Sequence, residues 1–237
     1  ACENQASYEV VSFLINHWPG ALKEKQFYEE TPLHSACKNQ APLEVVSLLA
    51  DHYDDALREK NEGDSTPLHL ACENYAPVEV VSLLMERSPD ALREKTFAGS
   101  TPLHLACRNE APWQVIAALL ERLPEAITEE NNDGMTPCDI TQTYNTPEDI
   151  QKLVIHVSNL FGDGLDNAFA KEAMKFFSKI EWWNGIALVL DKFPAVTQTT
   201  NLHLKAIPRF LSIIGRCCKL KTMWEVLREK QDLFKDV

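Results

Sequence analysis

The 237-residue chain has no apolar run approaching the ~20 residues that cross a bilayer. No hydrophobic secretory stretch stands near its start. Nothing in it reads G-x-S-x-G, G-x-G-x-x-G or H-E-x-x-H, and no phosphate loop is present. The usual signatures of nucleophilic hydrolases, nucleotide binders and zinc proteases are therefore missing. The cysteines form no C-x-x-C pair and the histidines no H-x-x-x-H pair. Cations are scarce through most of the chain: residues 1–150 hold 26 acids against 10 Lys and Arg, while residues 151–237 hold 9 against 13. An acidic surface cannot replace the counterions of a phosphate backbone, which argues against nucleic acid as a partner. Adjacent acids such as Glu29-Glu30 and Glu129-Glu130 fall in polar stretches expected to be exposed, with little to perturb their titration. An acid–base site needs burial and a partner. On these grounds no catalytic, cofactor-binding or metal-ligating residue is predicted.

What the chain does have is repetition. TPLHLAC stands at 66–72 and again at 101–107, with TPLHSAC at 31–37 and the more divergent TPCDITQ at 136–142. Thr31, Thr66, Thr101 and Thr136 thus begin rows of 35 residues. Each row continues into a segment such as LEVVSLLADHYDDAL or VEVVSLLMERSPDAL, whose apolar positions (Val45, Val46, Leu48, Leu49; Val80, Val81, Leu83, Leu84) form a helical stripe rather than an alternation. In the first half of the row, Thr supplies an N-cap oxygen and the following Pro suits the first helical position. Pro42, Pro77 and Pro112 precede the second helix. Polar connections such as NEGDS and NNDGM, with Gly63 or Gly134 available for positive φ, close the unit. One helix pair cannot bury both of its faces, but stacked neighbours can.

TPLHLA followed by an EVVSLL helix resembles the ankyrin repeat and its T-P-L-H-x-A signature, and the resemblance covers residues 1–142. It departs from the family in its 35-residue period, in the Ala-Pro that replaces the usual inter-helix glycine, and in the Pro-Asp-Ala or Pro-Glu-Ala after the second helix. The fold class expected is all-α: a solenoid of stacked helix-turn-helix units with projecting loops and a degenerate helical C-terminal cap. Residues 1–142 are expected to be ankyrin-type repeats. The opening ACENQA matches ACENYA at 71–76 without the preceding TPLHL, so the first repeat is expected to be truncated and the native protein to extend upstream. Residues 143–237 read as degenerate repeats and a cap, since 171–196 fits beneath 101–126 at an offset of two periods with Pro194 under Pro124, and a last unit carries Met223, Trp224, Val226 and Leu227. A separate small helical domain is the alternative.

Cys2, Cys37, Cys72 and Cys107 share one position in the repeat, and His34, His69 and His104 another. Equivalent positions on stacked helices lie ~8–10 Å apart. A disulfide needs Cα atoms within ~7 Å, and zinc needs ligands at ~2.0–2.3 Å. Cys217 and Cys218 are adjacent and point in different directions on a helix. The thiols read as buried small residues, and the resemblance implies that His ties adjacent loops by hydrogen bonds. Seven cysteines without framework spacing fit a reducing compartment, so an intracellular, cytoplasmic location is expected, with no cofactor.

Function should sit where the rows differ. They differ at the loop tips, including Phe27, Tyr28, Glu62 and Phe97, and at the ends of the first helices, including Lys38, Glu73 and Arg108. The resemblance implies that these two sets line a concave groove for a protein partner. The aromatics are either anchors of that interface or local packing under their own loops. Asn39, Asn74 and Asn109 either line the groove or terminate helices in αL geometry. The basic stretch from Leu202 to Trp224, with Lys205, Arg209, Arg216, Lys219 and Lys221 and no acid, is a second candidate surface. The expected function is a monomeric protein-binding scaffold with an unidentified protein partner and no membrane insertion. A regulatory or targeting segment of a larger enzyme or channel is the alternative, and a metal or redox protein using the Cys column is a weaker one.

Overall fold

A computed structural model describes residues 6–162 and 166–193. They divide into two compact units, one ending at Val154 and one starting at Ile155. The described residues are helical, with no strand among them. Cys2, the Leu202–Trp224 basic stretch, Cys217-Cys218, Pro194 and the Met223–Leu227 helix positions lie outside the described residues.

In the first unit, short and long helices alternate: α1 (Tyr8–His17), α2 (Pro32–Lys38), α3 (Leu43–His52), α4 (Pro67–Glu73), α5 (Val78–Arg87), α6 (Pro102–Arg108), α7 (Trp113–Arg122) and α8 (Pro137–Thr143). Helix α9 (Glu148–Asn159) runs across the division between the units. The short helices α2, α4, α6 and α8 pack side by side, and the long helices α1, α3, α5 and α7 pack in a second row. Their facing stripes form the core, with Val45, Val46, Leu49, Val80, Val81, Leu84, Ile116 and Leu120 buried. Cys37, Cys72 and Cys107 are buried thiols in the short-helix row. Burial pushes the Cys72 and Cys107 thiols above the ordinary range, so neither supplies a thiolate near neutral pH.

Each short helix starts on a threonine in extended conformation with Pro at the first helical position. It ends in a Schellman-type turn. Ala41, Ala76, Ala111 and Thr146 donate their N–H to carbonyls five residues back, at 2.9–3.2 Å. The αL residue of that turn is not the asparagine. Asn39, Asn74 and Asn109 sit at the C-cap with φ of −100°, −114° and −99°. Their Nδ2 groups donate to the Ser35, Leu70 and Leu105 carbonyls at 2.8, 2.9 and 3.1 Å. The left-handed positions are Gln40, Tyr75, Glu110 and Asn145 at φ 51–60°. The αL assignment therefore moves one residue along, because the asparagine side chain is occupied with the last helical carbonyls.

In the second unit, α10 (Asn167–Lys179) is capped by Asp166, whose carboxylate accepts from the Phe169 N–H at 2.8 Å. It is followed by α11 (Trp183–Lys192). Glu181 at φ 56° and the Trp182 N–H to Phe177 carbonyl bond repeat the turn of the first unit. Phe177 and Trp182 meet edge-on at 4.8 Å and are buried. Helix α11 begins 70 residues after α7, each on a tryptophan.

Candidate functional site: the loop-tip row

The threonines and histidines of the repeated letters are fully committed inside the fold. Each Thr N–H donates to the histidine Nδ1 three residues on, at 3.2 Å for Thr31–His34, 3.1 Å for Thr66–His69 and 3.2 Å for Thr101–His104. The threonine hydroxyls contact the same Nδ1 atoms at 2.7–2.9 Å. A nitrogen that accepts from an amide carries no proton, so Nε2 is the protonated atom. It donates to the Ser65, Glu94 and Met135 carbonyls, in the segment that closes the same row, at 3.0, 3.1 and 3.1 Å. Burial holds all three imidazoles below their ordinary pKa, His69 at about 4. With both nitrogens used, these side chains tie each short helix to the segment that closes its row. Thr136 keeps the N-cap with Asp139 in place of histidine, and its hydrogen bonds hold that carboxylate below the usual range.

Main-chain bonds hold the tips. Four five-residue loops (26–30, 61–65, 96–100 and 131–135) close with one backbone bond each: Gln26 to Glu30, Asn61 to Ser65, Thr96 to Ser100 and Asn131 to Met135, at 2.9–3.1 Å. Asn61 Oδ1 accepts from the Gly63 and Ser65 amides, and Asn131 Oδ1 from the Asp133 and Met135 amides. Successive tips are then joined, with Glu62 N–H donating to Tyr28, Phe97 to Gly63 and Asn132 to Ala98 at 2.9, 2.9 and 3.1 Å. The fourth residue of each loop has positive φ: Glu29 58°, Asp64 56°, Gly99 74° and Gly134 72°. Asp64, not Gly63, takes that conformation in the second loop. At Gly99 a Cβ would collide with Asn132 of the next tip, so close approach as well as φ requires glycine there.

Beneath the tips runs a charge ladder. Lys25 pairs with Glu59, Lys60 with Glu94 and Lys95 with Glu129, at 2.9, 2.6 and 2.8 Å. Lys25 and Lys95 hold the Glu59 and Glu129 carboxyls below the usual range. Glu30 is buried and accepts from Lys38 Nζ at 2.8 Å. Glu30, expected to be exposed, is thus corrected to a buried acid facing Lys38, whereas Glu129 is exposed as expected but its carboxyl is disturbed by the lysine that the fold brings to it.

The predicted partner-binding residues fall into two groups. Phe27 is 88% exposed, Phe97 79% and Tyr28 64%, so Phe27 and Phe97 are not packed under their loops. Glu62 and Glu73 are exposed. Lys38 lies 5.8 Å from the Tyr28 ring centroid, which joins a tip to a first-helix end. Arg108 lies 5.3 Å over the Tyr144 ring. Lys38 and Arg108 are therefore already engaged within the chain. Tyr75, 55% exposed on its αL turn, belongs to the same row of variable positions and was not singled out by the sequence. Its only signal was an aromatic where the neighbouring rows have Gln40 and Glu110.

The family model for ankyrin repeats, in three copies, matches residues 1–95. Residues 1–95 therefore carry ankyrin repeats, and such repeats are generally non-catalytic modules of protein–protein interaction. No curated protein matches the chain. Among the described residues no helix is long and apolar enough to cross a membrane.

Proposed function

We propose that the protein is a monomeric intracellular scaffold that grips a protein partner on the face formed by its loop tips and first-helix ends. The observation that carries this reading is the pair of side chains Phe27 and Phe97, presented to solvent on tips that are themselves fixed by backbone bonds. Large aromatics held rigidly and left uncovered are the side chains that dominate interface energies. The buried thiols and neutral histidines support an intracellular, scaffold role for the repeated letters, leaving the tips as the variable face.

The test is affinity capture with the 237-residue chain from its native cell, followed by measured affinity for the captured partner. Phe27→Ala, Tyr28→Ala, Phe97→Ala and Arg108→Glu should leave helical circular dichroism unchanged. At least one should weaken binding by ~1–2 kcal/mol or more. If all four bind normally while Arg209→Glu and Lys219→Glu abolish capture, the interface is the C-terminal basic stretch instead.

A further inference from the structure

All ten Lys and Arg of residues 1–150 are engaged within the chain. Eight of them (Lys25, Lys38, Arg58, Lys60, Arg87, Arg93, Lys95 and Arg122) pair with carboxylates. Lys23 and Arg108 lie over the Tyr53 and Tyr144 rings. The acidic excess of this region is consequently carried by acids without an ion-pair partner among the described residues. Glu62 and Asp64 at one tip and Glu73 at the adjoining first-helix end are such acids, and all three are exposed. They lie in the row that carries the exposed rings. Phe27 and Glu62 line one shallow depression with Gln26, Tyr28 and Glu29. Phe97 is bonded through its N–H to Gly63, between Glu62 and Asp64.

Resting on the tip-row reading above, we infer that the partner segment is an extended Arg- or Lys-rich stretch, its cationic heads between these carboxylates and the faces of Phe27 and Phe97. A cation over an aromatic face and beside a carboxylate gains from both. An acidic segment would meet uncompensated like charge, and a purely apolar one would leave Glu62 and Asp64 facing it without partners. Phe27 and Phe97 lie two repeats apart, which at ~10 Å per helix-packing step is ~20 Å. An extended segment of about six residues spans that distance.

A fluorescein-labelled octapeptide of alternating Arg and Ala, titrated by anisotropy against the whole chain, tests this, with an alternating Glu and Ala peptide as comparison. The Arg peptide should bind and the Glu peptide should not. Phe27→Ala with Phe97→Ala should weaken binding tenfold or more, as should Glu62→Gln with Asp64→Asn and Glu73→Gln. The same charge change on the long-helix side, Glu44→Gln with Glu79→Gln and Asp90→Asn, should alter it by less than twofold. Equal losses from the two acidic triples, or no loss from the aromatic pair, would mean that the peptide senses only the general acidity of the chain, and the inference falls. The same holds if the Arg peptide does not bind. Competition with the captured partner separates this from the underlying reading. If the tip variants weaken the partner but the Arg peptide does not displace it, the tip row stands and the basic segment is wrong. If the tip variants do not affect the partner, the tip row itself is wrong.

Discussion

In the band formed by α2, α4 and α6, the same Thr, Pro, Leu, His and Ala recur at every period, and the Thr and His polar groups are spent inside the protein. In the tip row bonded to that band, the letters change from Phe-Tyr to Glu-Gly to Phe-Ala to Asn-Asp, while the backbone bonds between tips stay the same. The difference teaches where constancy is needed. The band uses side chains to hold the fold, so its letters are fixed by geometry. The tips are joined to one another by main chain, so side chains such as those of Phe27 and Phe97 are left for other work.

The largest break in that comparison should come from the core. Leu84→Ala, at a buried position of α5, should cost ~2–5 kcal/mol in chemical denaturation. Leu14 of α1 lines an open apolar cleft of about 240 Å³ and is only half-buried, so Leu14→Ala should cost less than half as much. Equal losses would show α1 to be packed as tightly as the centre.

Next in size is acid sensitivity. The folded His69 titrates at about 4, below its unfolded value near 6.5. The unfolded chain therefore takes up a proton that the folded chain refuses. Stability from this group is full above pH ~6.5 and is lost as pH falls toward 4, by on the order of 3 kcal/mol. His34 and His104 shift in the same direction. Urea midpoints measured from pH 7 to 4 should fall, and His69→Gln should flatten the fall. An unchanged slope in the variant would remove the assignment.

A ladder rung should matter less. Lys60→Met should lower stability by only ~0.2–1 kcal/mol, because exposed ion pairs are screened. Double-mutant cycles with Glu94→Gln read the coupling directly. The smallest effect belongs to the tips, where Phe97→Ala should change the thermal midpoint within error, at most about 0.5 kcal/mol.

The helix pairs were legible because capping chemistry and apolar period are both local: Thr31 and Pro32 announce a helix start without reference to anything distant. The turn after it was less so. Gln40, Tyr75 and Glu110 carry no sign of positive φ, and the asparagine beside each offered a misleading one. The conformation there is imposed by the carbonyl five residues back, not by residue preference. The Lys–Glu rungs were hidden for another reason. Lys60 and Glu94 belong to different rows, and nothing in either row marks the other as its partner. At the site, sequence variation pointed to Phe27 and Phe97. It could not tell that Lys38 and Arg108 were already occupied, which depends on side chains meeting across a fold.

The Nε2 bond from each histidine ends on a main-chain carbonyl, at Ser65, Glu94 and Met135. Every residue type has that oxygen. The joint is therefore a plug whose socket accepts any sequence, and each row carries both halves of it. A repeat can be duplicated, or its loop rewritten, without renegotiating the connection to its neighbours. Assembly and recognition are thereby uncoupled, and new surface chemistry can be added to such a chain one unit at a time.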